Sequence, residues 1–452
     1  MTFSLNPGCS LGQFELGSLL WNVINIIRSE QSAFPNVHLS WDSQKAATGF
    51  VLLSIPSPPL HMLFDGASQR LLVIEAYQPP AHESVASVCP PPIGQWIVYK
   101  SQPIAQAVGA NEPGVNLRVI HRLFGPTYPP APHVAHPDEQ VVSYPGVAFS
   151  FFEKLLVRVI LSLQPTGNQD DREIIPLGET YFKPKIPKFL DCMDGDVKCA
   201  QIILGRLGQE PTSIHFSFHS ASSSQLPPAV IVTIGRSTSE DVMCDFGAPL
   251  RTFWKEDDRM KIHAHLGTVG TQNGQSEEPN PYFMSYFNLG VDFLIDPLSN
   301  RVLKVIMHSN IPGEVLFARY SRCPWEICTT HDQSPLGTNT GKATLLIQRL
   351  KTNPCEENSD PSEVPTAGDS SSPHDPPPSE SSSSGQPFNN QNEDASAAET
   401  LVKMMEPVML LDRTADILDE GLLLQKPTRL YGLPGIAFEV TQDDDIETIW
   451  LF

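Results

Sequence analysis

Apolar positions in this chain follow two rhythms, and the clearer one has a period of two. Val291, Phe293 and Ile295 alternate with Asp292 and Leu294, which makes one face of an extended segment apolar. Asp296-Pro297-Leu298-Ser299-Asn300 follows as a turn. Pro297 presets φ there, and the Asp, Ser and Asn side chains bond nearby backbone amides. Arg301 to Met307 then returns as a run rich in β-branched residues, so Asn288 to Asn310 reads as a β-hairpin.

The same element recurs. Leu60, Met62, Phe64 and Asp65, followed by Ser68-Gln69-Arg70-Leu71, superimpose on it at a constant offset, with Asp65 on Asp296, Ser68 on Ser299 and Arg70 on Arg301. Gly, then Val or Ile, then Phe two residues on, marks the first strand at Gly146, Gly290 and Gly435. Related hairpins in the 60s, 140s, 290s and 430s at irregular spacing describe a degenerate repeat, without the fixed period of a solenoid.

The second rhythm is helical. Leu19, Leu20, Val23, Ile24 and Ile27 share one face, with Ser18 as the predicted cap. No Lys or Arg precedes Arg28 on the polar side, which favours a core helix over one lying on a membrane. Val115 to Phe124 repeats the pattern and stops at Gly125-Pro126-Thr127. Ser237 to Phe246 forms a third helix, with Ser237 and Glu240 at capping-box spacing and Gly247-Ala248-Pro249 as its stop.

These elements predict an α+β protein in which a helix plus an antiparallel hairpin repeats and packs into one multi-lobed body. Its first unit spans 1–77. A proline-rich linker at 78–92 leads to the second unit, 93–164, in which Ile93 to Tyr99 reads as extended. A strand-containing connection covers 165–229, with Ile214, Phe216 and Phe218 alternating and Asp191 to Cys199 read as loop. The third unit is 230–330. Residues 353–400 are predicted to be a disordered acidic insertion rich in Ser and Pro. Residues 351–400 hold ten Asp and Glu against one Lys, with almost no large apolar residues to offset ordering entropy. Residues 401–452 are apolar again and complete the fold.

The formal charge of −21 disfavours nucleic acid and anionic membrane surfaces as direct partners. Eight unevenly spaced cysteines in 452 residues give no disulfide framework and suit a reducing, cytoplasmic setting. The N-terminus has no basic leader, and no apolar run approaches the roughly 20 residues of a membrane-spanning helix.

The search for chemistry assigns no catalytic, cofactor-binding or metal-binding residue. Leu336 to Ala343 approaches a phosphate-binding loop, but Leu336 replaces its first Gly and Ala343 its hydroxyl residue. His263 and His265 place two imidazoles on one side of an extended segment beside Lys261, without a further ligand at metal-site spacing. They define the alternative reading, a small-ligand-binding or hydrolytic domain with a cleft near His263 and His265. Cys323 and Cys328, like Cys192 and Cys199, lack a second pair at zinc spacing and read as free thiols. Asp65 and Asp296 read as turn caps because they repeat at one turn position.

Leu63-Phe64-Asp65, Gln69-Arg70-Leu71, Phe124-Gly125-Pro126-Thr127, Met260-Lys261-Ile262-His263 and Tyr286-Phe287-Asn288-Leu289-Gly290-Val291-Asp292 together resemble the phagosome assembly factor family. The resemblance covers most of 12–330 and the last 40 residues. It implies a eukaryotic, non-enzymatic scaffold without cofactors. The scaffold would act with a β-propeller (WD40-type) protein at forming autophagosome membranes and reach the membrane through that partner. An alternative role implied by the resemblance is Golgi-to-plasma-membrane trafficking, with Golgi association.

One prediction follows from the sequence alone. Deleting 356–396 leaves the thermal unfolding transition nearly in place, whereas stopping the chain at 400 abolishes it. Calorimetry on both variants checks this, and the opposite pattern refutes the architecture.

Overall fold

The computed structural model describes residues 1–79, 91–109, 114–133, 136–162, 173–174, 180–181, 196–204, 212–219, 230–254, 280–328, 335–352, 409–411 and 427–452. The elements fall into four quarters of similar plan: short leading strands, a helix, then a four-stranded meander. In the first quarter β1 (Phe3–Asn6), β2 (Ser10–Leu11) and β3 (Phe14–Glu15) precede helix α1 (Leu20–Ser29). Strands β4 (His38–Trp41), β5 (Val51–Pro56), β6 (Pro59–Phe64) and β7 (Leu71–Tyr77) follow. The second quarter has a short helix α2 (Ile93–Trp96), β8 (Ile97–Tyr99), β9 (Gln102–Pro103) and helix α3 (Leu117–Phe124). Its meander is β10 (Ala131–Pro132), β11 (Gln140–Tyr144), β12 (Val147–Phe152) and β13 (Leu155–Ser162). A small pair, β14 (Glu173–Ile174) and β15 (Thr180–Tyr181), stands between the second and third quarters.

The third quarter repeats the plan with β16 (Val197–Ile203), β17 (Ser213–Phe218), β18 (Val230–Thr233) and helix α4 (Ser239–Phe246). Its meander is β19 (Arg251–Trp254), β20 (Tyr282–Tyr286), β21 (Val291–Ile295) and β22 (Val302–His308). The fourth has β23 (Trp325–Cys328), β24 (Pro335–Thr338) and helix α5 (Ala343–Thr352). Its meander is β25 (Met409–Leu411), β26 (Thr428–Leu433), β27 (Ile436–Val440) and β28 (Ile446–Leu451).

Quarters combine in pairs because each meander leaves its fourth strand with an open edge, and the neighbouring quarter supplies its match. β7 pairs antiparallel with β13, and β22 with β28, so each half carries one continuous eight-stranded sheet. The leading strands join in the same way. β1 lies parallel to β8, and β16 parallel to β23, which gives each half a five-stranded sheet. Each half then closes around its own apolar core. Phe3, Phe14, Phe64, Phe149 and helix α1 fill the first, and Phe216, Phe293, Trp325, Phe438 and Ile449 fill the second.

The four hairpins legible in the sequence are the third and fourth strands of the four meanders. Each carries a register shift near the end of its third strand: at Leu63/Phe64, Ser150/Phe151, Leu294/Ile295 and Glu439/Val440. The turn caps coincide as well. The carboxylate of Asp65 accepts the amide and hydroxyl of Ser68 at 2.7 and 2.6 Å, and that of Asp296 accepts those of Ser299 at 3.1 and 2.5 Å. The hairpin tip also starts the helix. Amides at the first helical position donate to tip carbonyls: Leu20 to Gln69, Ser239 to Asn300 and Ala343 to Asp444. The helix and the hairpin tip therefore form one repeating device, in which an otherwise orphan helix donor is satisfied by the turn.

Several expectations are corrected. Ser18 does not cap α1: Leu19 holds the cap position without a side-chain bond, because Gln69 O already takes the first helical amide. The capping box of α4 lies one residue later, between Thr238 and Asp241, while Ser237 Oγ accepts the amide of Thr233. Ile93 to Trp96 is helical, and only Ile97–Tyr99 is strand. Residues 197–203 form central strand β16, although Asp191 to Cys199 read as loop. Burial of Val197, Ala200 and Ile202 decides the matter against a locally polar sequence. The 353–400 segment, His263, His265 and Lys261 lie outside the described residues.

The glycines of the repeat sit at positive φ in the turn before the third strand, at 81° for Gly146, 72° for Gly290 and 75° for Gly435. At Gly290 a side chain would also meet Ser321 O at 2.2 Å and Cys323 N at 2.9 Å, whereas at Gly247 (φ 78°) nothing lies within 4 Å. Alanine at 247, where φ 78° and ψ −167° suit only glycine, therefore costs backbone strain alone, about 1–3 kcal/mol. Alanine at 290 adds a clash with the backbone of Ser321 and Cys323 and costs more, by at least about 1 kcal/mol. Urea unfolding of the two variants tests the ranking, and equal losses would refute it.

Candidate functional site at the strap between the halves

Residues 309–322 leave the end of β22, cross to the first half and return to enter β23. This strap is fixed at both ends and along its length. Trp21 Nε1 donates to Arg319 O at 3.0 Å and Arg28 Nη1 to Ala318 O at 2.9 Å. The rings of Trp41 and Phe317 lie 6.3 Å apart, and Ile311 is buried with Ala46 and Ala47. Asn310 (φ 50°) and Ala318 (φ 60°) take left-handed conformations, and the Asn310 side chain accepts the amide of Ala318 at 2.7 Å, which closes the loop on itself.

Three polar contacts connect the halves beneath it. Gln69 and Asn310 form a reciprocal pair: Gln69 Nε2 donates to Asn310 O and Asn310 Nδ2 to Gln69 Oε1, both at 2.7 Å. Arg70 bonds Asp196 at 2.9 Å and Gly17 O at 2.7 Å. Arg322 is buried. Its Nη1 reaches the carbonyls of Ala47 and Gly66 at 2.7 Å and of Ala67 at 2.9 Å, and its Nε reaches Ser309 O at 2.7 Å. Burial lowers its pKa to about 10, only partly opposed by Asp65 and Asp445, so it stays charged at neutral pH.

The strap also walls a cleft of about 400 Å³ on the second eight-stranded sheet. Its floor holds Asp292 and His308, and Tyr320 of the strap closes one side. Tyr320 OH donates to Asp292 Oδ2 at 2.8 Å, His308 Nε2 lies 3.1 Å from the same oxygen, and the His308 and Tyr320 rings stack at 3.6 Å. Burial, then the adjacent Asp292 carboxylate, pushes the Tyr320 hydroxyl above its usual range. An Asp–His pair invites a general-base reading. The geometry opposes it: the remaining nitrogen, His308 Nδ1, is sealed from solvent, and Tyr320 spends its proton on Asp292. The cluster instead anchors the strap to the sheet. The mouth of the cleft carries Arg251 and Phe253 of β19 and Arg319 of the strap.

The corresponding place in the first quarter is held by His61, which lies 3.1 Å from Glu75. Arg158 bonds the same carboxylate at 2.6 Å and Glu139 at 3.0 Å. Burial would raise the pKa of Glu75, but the His61 bond and the Arg158 charge outweigh it and hold the carboxyl below its usual range.

The structure accounts for the phosphate-loop near-miss. Lys342 Nζ bonds Asp445 at 2.6 Å and Asp443 O at 2.9 Å, and the Asp444 carboxylate takes the amide and hydroxyl of Thr344. The chain's own carboxylate thus occupies the start of α5, where a phosphate would sit. Cys199, Cys323 and Cys328 are free, and burial followed by Glu326 pushes the Cys199 thiol up to about 12. Among the described residues no group of three His, Cys, Asp or Glu is placed to hold a metal ion. The sequence reading used Gln69, Arg70 and Asp292 only as motif positions, and missed His308, Asn310, Tyr320 and Arg322. The one signal for His308 and Asn310 was the run of polar side chains that closes and follows β22, and nothing local marked Tyr320 or Arg322.

The family model described as Phagosome assembly factor 1 matches residues 10–452. A PHAF1 protein of Arabidopsis thaliana is 22% identical over 402 residues, covering 82% of this chain and 86% of its own length. A PHAF1 protein of Drosophila melanogaster is 24% identical over 343 residues, covering 73% of each chain. One from Caenorhabditis elegans is 24% identical over 356 residues, covering 74% of this chain and 79% of its own length. No solved structure matches the chain.

The buried Gln69–Asn310 pair gives a quantitative expectation. Alanine at either position strands the other amide and costs about 1–3 kcal/mol. The double variant costs less than the sum by about 1 kcal/mol, because the two residues share one interaction. Denaturant unfolding of the four proteins in the cycle measures this, and strict additivity would show that the pair does not couple the halves.

Proposed function

The chain belongs to the phagosome assembly factor 1 family, and from that membership we propose that it is a non-catalytic scaffold at autophagosome-forming membranes, working with a β-propeller protein. The observation that carries this reading is the extent of the family match, 10–452, which takes in both halves and the strap between them. The family's description supports a role in phagosome or autophagosome assembly. The catalytic alternative near His263 and His265 falls outside the described residues.

A scaffold needs a surface that a partner can complete. Among the described residues β19 is the edge of the second eight-stranded sheet, hydrogen-bonded on one side to β20. All four of its residues are exposed, with Phe253 at 51% and Trp254 at 53%, and Leu250 just before them at 57%. An open edge beside exposed aromatics suits strand addition, in which main-chain bonds supply affinity and side-chain pockets supply selectivity. Arg251 and Arg319 are cations at this site in a chain of charge −21, so the occupant is an extended, acidic segment of the propeller partner. Among the described residues no helix is long and apolar enough to cross a membrane.

Affinity purification of the tagged full chain from starved cells tests the proposal. The wild type should recover a β-propeller protein. The double substitution Phe253→Asp, Trp254→Asp should reduce that recovery at least about tenfold with an unchanged unfolding midpoint. Undiminished recovery by the variant removes β19 as the docking edge, and recovery of no propeller protein by the wild type removes the partner.

A further inference from the structure

The cleft beside the strap runs inward from the edge strand β19, and cross-strand register fixes what faces it. Arg251 lies opposite Ser285 of β20, and Phe253 opposite Phe283. Side chains alternate along a strand, so Arg251 and Phe253 share the cleft face. Thr252 and Trp254 point to the other face, where the Trp254 ring meets that of Tyr282 at 4.9 Å. Behind the mouth the cleft is apolar, lined by Phe283, Phe287, Ile306, Leu316 and Trp450. Liquid water takes about 30 Å³ per molecule, so a cleft of about 400 Å³ has ample room for an aromatic side chain.

The cations at the mouth are reachable and unengaged. Arg251 and Arg319 are both exposed, and among the described residues neither side chain makes an ion pair or a hydrogen bond. Arg319 is held by its backbone instead: its carbonyl accepts Trp21 Nε1 and its amide donates to Leu316 O. The root of that side chain is therefore fixed while its guanidinium stays open to an acceptor. The carboxylate on the cleft floor, Asp292, is already bonded by Tyr320 OH and does not neutralise the mouth. Two like charges brought to one opening favour a carboxylate from outside, and a ring set against Phe253 gains stacking beyond simple burial.

Resting on the reading of β19 as a strand-addition edge, we propose that the docking segment carries an acidic residue and an aromatic residue two positions apart. The acid lies opposite Arg251 and reaches Arg319, and the ring lies opposite Phe253 and turns into the cleft. The spacing follows from alternation, since only every second residue of an added strand shares the face of Arg251 and Phe253. A segment parallel to β19 reads acid first and aromatic second, and an antiparallel one reads the reverse. The residue between them faces away from the cleft and takes no part in the selection.

The test pans the full chain against random peptides displayed on phage, in parallel with the double charge reversal Arg251→Glu, Arg319→Glu. Both side chains are exposed and unpaired, so the variant keeps the wild-type unfolding midpoint. The wild type should enrich an acid and an aromatic residue at a spacing of two, and the variant should enrich Lys or Arg in place of the acid. A synthetic peptide of the wild-type consensus should bind the variant at least about tenfold more weakly, because like charges then meet. Exchanging its acid for Lys should restore binding, which a merely structural pair of arginines would not produce. No enriched motif, a spacing other than two, or an unchanged preference for acid in the variant overturns the proposal. Purification from starved cells separates this motif from the partner. The consensus without a recovered propeller protein supports the motif and removes the partner. Recovery of a propeller protein by the charge-reversal variant at the wild-type level removes the motif and leaves the β19 edge in place.

Discussion

A single buried guanidinium organises the meeting of the two halves. Arg322 sits at the end of the strap, and its Nη1 reaches carbonyls at two places in the first half: Ala47, and the adjacent Gly66 and Ala67. These carbonyls belong to turns, which would otherwise leave acceptors unsatisfied in a dry interface. Lysine has one nitrogen and could not meet these carbonyls while also holding Ser309 O, as Nε of Arg322 does. The same residue lies one position from Ser321, whose carbonyl crowds Gly290, so the glycine turn of the third quarter and the strap end are packed as one unit. The halves are thus joined by directed polar contacts together with strap residues Ile311, Phe317 and Ala318, which pack on apolar groups of the first half, while the second half keeps its own oily interior.

Repetition explains the rest of the architecture, and divergence explains the sites. The turn cap, the register shift and the tie between helix start and hairpin tip recur because they solve a backbone problem that every quarter shares. Arg70 and Arg301 show both behaviours. Each reaches the carbonyl of a glycine ahead of a helix, Gly17 and Gly235 respectively. Among the described residues, Arg70 alone of the two has an acidic partner, Asp196, from the other half. One position on the outer sheet face has diverged completely: His61 serves a charged network in the first quarter, and Asp292 anchors the strap in the third.

The sequence exposed what is local. Alternation at 291–295 and the Asp-to-Ser turns gave the hairpins, and Gly125 and Gly247 gave helix ends, because each signal is spent within a few residues. What stayed hidden was long-range. Nothing in 93–96 announces a helical turn ahead of β8, and nothing near 197 announces a strand whose neighbour, β23, starts at 325. The strap was invisible for the same reason. Gln69 and Asn310 are 241 residues apart, and each alone looks like an ordinary turn residue. Their burial is a property of the assembled halves.

The placement of β28 has a bearing on how the chain is made. It lies between β22 and β27, yet it begins 138 positions after β22 ends, counting from His308 to Ile446. During synthesis at a ribosome's ordinary pace of about 5–20 residues per second, the inner edge of β22 waits several seconds for its neighbour. In the first half the corresponding wait is a little over half as long, since 78 positions separate Tyr77 at the end of β7 from Leu155 at the start of β13. An unpaired hydrophobic strand held open that long invites wrong partners. The most acidic stretch of the sequence emerges in that interval and carries like charge on every nascent copy, which keeps unfinished chains apart.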